Sequence, residues 1–202
     1  MPKVSPEHMA ARRNQILDAA TTCFARHGIH ETTIQRICDE AKLSAGALYR
    51  HFSDKGDILD AVYVRSIELN RGFGDALAAA ADPVATLRAQ VSAMIDLLAD
   101  PDLRAEHQLA VRVHTEALSD PALARRYSAV QRAVVEQVTP LLARLQDEGK
   151  VPRTLEPAGF LQVVIATYQG LRIRYLLDPT LDLEQVRAAL VALVDQSLGP
   201  PK

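Results

Sequence analysis

Residues 33–59, TIQRICDEAKLSAGALYRHFSDKGDIL, constrain the fold more than any other stretch of this chain. They encode a short helix, a tight turn, a second short helix and the start of a third, the layout of helix-turn-helix units that read DNA. Ser44 is placed to cap the second of these helices, because its hydroxyl can accept from a free backbone N–H. Over Ser44 to His51 the spacing turns Leu48 and, just beyond, Phe52 inward and leaves Ala45, Ala47, Tyr49 and Arg50 outward. A helix that is apolar on one side and aromatic or basic on the other can enter a major groove.

The flanking pattern predicts helices throughout. The first runs from about Pro6 to His27, with Ile16, Ala20, Cys23 and Phe24 on one stripe and Gly28 at the position where a left-handed residue is wanted. The second spans Thr33 to Ala41, with Ile34, Ile37, Cys38 and Ala41 inward. The fourth starts near Asp54, with Asp54 and Asp57 at its N-cap and third position, and continues to about Ala81. That length suits a connector between two subdomains. Four later helices open with an acid–proline pair: Asp82-Pro83, Asp100-Pro101, Asp120-Pro121 and Glu156-Pro157. The acid caps, and proline fits the first helical position, where its missing N–H costs nothing. The punctuation gives helices near 83–99, 102–118, 121–148 and 157–177, with a kink expected at Pro140. Asp178-Pro179 closes the fourth of them, and the last helix runs from about Leu183 to Leu198. The expectation is an all-α fold of about nine helices.

Composition agrees. The chain is 48% hydrophobic, rich in Ala, Leu and Val, and has no Trp. The net charge of −2 excludes a general nucleic-acid coat, and residues 1–65 hold nine Lys/Arg against eight Asp/Glu. DNA affinity then depends on where Lys3, Arg12, Arg13, Lys42, Arg50 and Lys55 sit, and on dimerisation doubling them. Cys23 and Cys38 are too few for a disulfide scaffold and fall on apolar stripes, so small core residues are expected. No signal peptide and no apolar run long enough for a membrane span is visible, so a soluble cytoplasmic protein is expected.

The 28–59 region resembles the DNA-binding domain of the TetR family of transcriptional regulators. The match rests on Gly28, Thr33, Ile34, Ile37, Ala41, Leu43, Ser44, Gly46, Leu48, Tyr49, His51, Phe52, Lys55, Ile58 and Leu59. GLRIRYLLDP at 170–179, and EALSDPALARRY through KVPRTLEPAGF at 116–160, look like the C-terminal half of the family's betaine-responsive branch. The resemblance implies a helix-turn-helix domain at 1–53 and a helical ligand-binding and dimerisation domain at 54–202. It also implies a homodimer on a palindromic operator in double-stranded DNA, released by a small-molecule effector, with no cofactor and no metal.

By position, the resemblance puts Gln35 and Arg36 at the groove edge, Ala45 and Ala47 at bases, and Tyr49, His51 and Lys55 at phosphates. Thr33, Ser44 and Arg50 complete the expected DNA-binding set. Arg reads guanine and Gln reads adenine, whereas alanine offers only contacts to thymine methyls. The chain departs from the family at three places: Lys42 stands where Gly is usual, Ala47 where Thr is frequent, and Gly56 where an acid is frequent.

For the effector, the expected pocket residues are Met94, His107, Arg112, His114, Glu116, Tyr127, Tyr168 and Gln169. Arg112 and Glu116, four apart, can instead satisfy each other. His107 and His114, two turns apart, are poorly spaced for a shared metal. Helix 160–176 is apolar nearly all round and the last helix carries a broad apolar stripe. The expected dimer interface is Phe160, Val164, Tyr168, Leu171, Tyr175, Val186, Leu190, Leu193 and Val194.

Other classes fit less well. A TetR-fold activator or a regulator controlled by a protein partner would share every one of these features. A helical enzyme would need a nucleophile motif, a phosphate loop, paired carboxylates or a metal cluster, and none is present. A purely structural dimer has no need of Tyr49, Arg50 and Lys55 around a helix-turn-helix.

Overall fold

The computed structural model describes residues 5–198, and the side chains of all of these except Pro6, residues 66–74 and Val130. Among the described residues there are nine α-helices and no strand. They are α1 (Pro6–His27), α2 (Ile34–Ala41), α3 (Ala45–Leu48), α4 (Lys55–Ala79), α5 (Pro83–Ala99), α6 (Arg104–Ala117), α7 (Pro121–Asp147), α8 (Pro157–Leu177) and α9 (Leu183–Leu198).

Capping explains why the helices begin where they do. Ser5, Thr33, Ser44 and Asp54 each accept a backbone N–H from the third residue of the helix they open. Asp82, Asp100, Asp120 and Glu156 accept one or two N–H groups in the first turn, each followed by proline. A cap of this kind contributes about 1 kcal/mol. One boundary differs from expectation: Asp100-Pro101 opens a 3₁₀ turn, Pro101–Leu103, that runs into α6. The helix after Ser44 is also shorter than expected. It ends at Leu48, and residues 49–51 continue only as a turn. α7 passes through Pro140, which is exposed, so water can serve the carbonyl that lacks a partner there. Gly28 closes α1 at φ +86° and Lys42 closes α2 in the left-handed region at φ +53°.

Two cores form. The first joins Ile16, Phe24, Ile37, Leu48, Phe52 and Ile58 from α1 to early α4, and it includes Leu109 and Val113 of α6 and Leu123 of α7. The second joins Leu77, the buried face of α5, Val138 to Leu145 of α7, Leu161, and Leu190, Val194 and Leu198 of α9. A fully buried side chain of this size contributes about 1.5–3 kcal/mol. The 53/54 cut expected from sequence does not follow a gap in packing, because Ile58, Leu59, Ala61 and Val62 of α4 belong to the first core.

Polar contacts fasten helices within each core. Arg112 of α6 donates from Nε to the Ala25 carbonyl at 2.5 Å and from Nη2 to the Arg26 carbonyl at 3.1 Å. Glu116 accepts the Ile29 N–H at 3.4 Å. The Arg112–Glu116 pair allowed by sequence is therefore not made. Arg112 serves the last carbonyls of α1, which need donors, and Glu116 takes the N–H of the loop just past them. At the far end, Arg187 of α9 binds Asp96 at 2.5 Å and the Ser92 carbonyl at 2.9 Å, both on α5.

Candidate nucleic-acid interface and inner polar cluster

The turn between α2 and α3 is built by its backbone. Lys42 donates to Asp39 at 3.2 Å and Leu43 to Cys38 at 2.9 Å, which needs the left-handed Lys42. Gln15 of α1 donates to the Ala41 carbonyl at 2.8 Å and fixes the turn on the first core. α3 then points one way only. Leu48 and Phe52 are buried, Ala45 and Ala47 are half-buried at the surface, and Tyr49 is 55% exposed beside exposed Arg50. Behind them, the Arg13 guanidinium lies over the Phe52 ring at 5.1 Å.

Several expected DNA contacts already hold local partners. Gln35 donates to Asp39 at 2.8 Å, Arg36 to the Glu31 carbonyl at 3.4 Å, and Arg50 to the Gly46 carbonyl at 3.4 Å. All three side chains are exposed, so these bonds exchange readily with water or phosphate. Lys55 is different. Its half-buried ammonium donates to the carbonyls of Ile29 at 2.9 Å and His30 at 3.0 Å, so two of its three donors hold the loop after α1. His51 is half-buried, and Thr33 and Ser44 serve as caps. Cys23 and Cys38 are buried free thiols, both pushed up by desolvation and so held protonated.

Between α6, α7 and α8 lies a net of polar side chains. His114 Nδ1 is 2.9 Å from the Ala110 carbonyl, which can only accept, so Nδ1 carries the proton. Nε2 then accepts from the Tyr127 hydroxyl at 2.6 Å. The Tyr127 oxygen in turn accepts from Gln169 at 2.8 Å and Gln131 at 3.2 Å. Burial pushes the Tyr127 phenol up, so it stays a donor. Beside this net, His107 is buried and donates from Nε2 to the Leu97 carbonyl at 2.7 Å, and burial pushes its pKa down. The Arg172 guanidinium stacks over the Tyr168 ring at 4.7 Å, with its Nε buried and lacking a hydrogen-bond partner.

Of the expected pocket residues, His114, Tyr127 and Gln169 therefore meet, with His107 and Tyr168 beside them. Arg112 and Glu116 stand at the junction with α1, and half-buried Met94 makes none of these bonds. Sequence reading missed Arg172 and Gln131, although an arginine in a helix otherwise apolar all round was a visible signal. It also missed Tyr63 of α4, whose buried hydroxyl has no partner among the described residues and whose pKa is raised by burial and by Glu116. Among the described residues no three His, Cys, Asp or Glu are grouped to hold a metal, and no helix is long and apolar enough to cross a membrane.

The residues expected at the dimer interface differ in exposure within one protomer. Phe160, Val164, Tyr168, Leu171, Tyr175 and Val186 pack against the protomer's own second core, and Leu190 and Val194 are buried in it. Of the expected set Leu193 is 61% exposed, and Phe160, Val164, Tyr168, Leu171, Tyr175 and Val186 keep part of their surface open. The outward apolar stripe is Val163, Ala166, Gly170, Ile173 and Leu177 on α8, with Ala189, Ala192 and Leu193 on α9. Leu177 is 81% exposed and Val163 65%.

Comparison with known proteins accounts for both halves of this arrangement. Residues 16–62 match the family model of bacterial regulatory proteins of the tetR family, and residues 83–199 match that of the BetI-type transcriptional repressor C-terminal domain. The HTH-type transcriptional repressor Rv1474c of Mycobacterium tuberculosis is 32% identical over 151 residues, covering 75% of either chain. The repressor AcnR of Corynebacterium diphtheriae is 30% identical over 162 residues, covering 76% of this chain and 73% of its own. Among solved structures, the SmeT–triclosan complex superposes with a TM-score of 0.77 at 26% identity, covering 92% of this chain and 90% of that one. A capped helix-turn-helix whose reading face is free, carried on a helical domain of this second type, places the chain in the TetR family of transcriptional repressors, as a DNA-binding regulator and not an enzyme.

Proposed function

We propose that the chain works as a homodimer that binds a palindromic operator with two copies of α3 and leaves it when a small molecule enters the C-terminal domain. It acts in the cytoplasm, where operator DNA is. The supporting observation is the outward apolar stripe on α8 and α9. A helix apolar all round that buries only Leu161 fully leaves a face for a second copy to cover. One α3 reads one half-site, and a two-fold pair spaces two reading helices about one DNA turn, roughly 34–36 Å, apart.

In this reading Ala45, Ala47, Gln35 and Arg36 face base edges, while Tyr49, Arg50 and the third donor of Lys55 face phosphates. The triclosan held by the SmeT relative supports a small-molecule effector for this chain. The route from effector to DNA runs along α6, which carries His107 and His114 inward and Arg112 and Glu116 against the end of α1. An effector shifts the balance only by its differential affinity for the two arrangements.

The test is a double variant, Leu177→Asp with Leu193→Asp, examined by sedimentation and by binding to operator DNA. Monomeric mass with operator affinity lost and helicity kept is the expected result. A variant that stays dimeric would move the interface to another face.

A further inference from the structure

We propose that the cluster around Arg172 is a binding site for a monocarboxylate with an apolar body. This rests on the reading that the C-terminal domain takes a small molecule, and it names the chemistry of that molecule.

The electrostatics come first. Among the described residues Arg172 has no hydrogen bond and no carboxylate partner, although its Nε is buried and it shares this region with Tyr127 and His107. Buried polar atoms in folded proteins are almost always paired. Every other group in the cluster is neutral. His114 donates from one ring nitrogen and accepts at the other, Tyr127 donates its proton to His114, and His107 is buried against a backbone carbonyl. The cluster thus carries one uncompensated positive charge, which a monoanion neutralises.

Geometry points the same way. Tyr168 covers one face of the guanidinium, and its two terminal nitrogens, unlike the buried Nε, are left open to donate. Together they form a fork that takes a carboxylate with two parallel bonds. The Nε2 amide of Gln169 brings a second N–H beyond the one given to Tyr127. The rest of this side of α8 is apolar, with Ile165, Tyr168 and Leu176 half-buried, so the body of the ligand meets hydrocarbon. One turn along α8 from Arg172, Leu176 borders a shallow groove of about 370 Å³, whose other lining residues are Ala25, Arg26, Gln108, Val111 and Arg112.

The experiment measures thermal unfolding of the full-length protein with sodium acetate, butyrate, hexanoate, octanoate or benzoate, each against sodium chloride of equal ionic strength. The variants are Arg172→Met and Arg172→Lys. At ten times its Kd, at least one carboxylate raises the wild-type Tm by about 3–6 °C. The rise disappears in Arg172→Met and survives in part in Arg172→Lys. Without ligand, Arg172→Met melts at or above the wild-type temperature, because an unpaired charge has been replaced by an apolar chain.

Equal responses of wild type and Arg172→Met to every carboxylate would overturn the proposal. So would an Arg172→Met that melts well below wild type without ligand, which would make the guanidinium a structural element. A shift that depends on Arg172 but comes only from inorganic phosphate would overturn the carboxylate assignment. DNA binding separates this site from the regulatory reading. A carboxylate that raises Tm and also weakens operator binding supports both. One that raises Tm with operator affinity unchanged supports the site and overturns its role as effector site.

Discussion

Arg112→Ala tests the fastening of α6 to the end of α1. The wild-type guanidinium donates to the carbonyls of Ala25 and Arg26, at the end of α1 where carbonyls lack helical partners. Hydrogen bonds to a charged group contribute about 1.5–3 kcal/mol each. Ala25 is buried, so its carbonyl gains little from water once the donor is gone. Arg26 is exposed and its carbonyl rehydrates, which removes most of the second loss. The sum is about 2–3 kcal/mol, or a Tm lower by about 4–12 °C for a chain of this size. Arg112→Lys keeps the charge but cannot fork to two carbonyls, so it should recover about half. Thermal melts followed by far-UV circular dichroism read all three proteins. An Arg112→Ala within about 1 °C of wild type, or Arg112→Lys no better than alanine, would refute this account of the junction.

Lys42 occupies the left-handed region, which costs a side chain about 1–2 kcal/mol, so Lys42→Gly should stabilise by about 0.5–1 kcal/mol after the glycine entropy is deducted. Lys42→Ala keeps the strain and isolates the charge; if glycine and alanine variants melt together, strain at this turn is absent. His107 is neutral when folded, and burial holds its pKa below the unfolded value of about 6.5. Its contribution is fully present above that value and is lost as pH falls through the folded pKa. Between about pH 7.5 and 5.5, His107→Gln should therefore lose less Tm than wild type, and parallel losses would remove His107 from the pH response. Lys55→Ala should lower stability, by freeing the 29–30 loop, and reduce the salt slope of DNA binding by about one unit. An unchanged slope leaves Lys55 as a loop anchor alone.

Much of the chain is legible because its helix starts are chemically explicit. A capping hydroxyl or carboxylate, often followed by proline, opens every helix from α1 to α5 and again α7 and α8. The departure at Lys42 was also readable, since a turn built for glycine implies a positive φ, which the chain adopts. α8 marks where reading stops. A helix apolar all round has no period to say which stripe faces home: Phe160, Val164 and Tyr168, expected at the interface, pack in part against the protomer's own core, while Val163, Ile173 and Leu177 stand more exposed. Arg112 and Glu116 mislead for a related reason. Four-residue spacing shows that two side chains share a face, whereas the end of α1, far away in sequence, offers them better partners. The two-core boundary is hidden likewise, because one uninterrupted α4 serves both.

The central claim is that two copies of α3 read one palindrome. The direct measurement is selection of the purified full-length protein against random DNA duplexes, at low and at near-physiological salt. The account predicts an enriched palindrome whose half-sites lie about one helical turn apart, roughly 34–36 Å between centres. Enrichment of a single unpaired half-site, or of nothing at low salt, would contradict it.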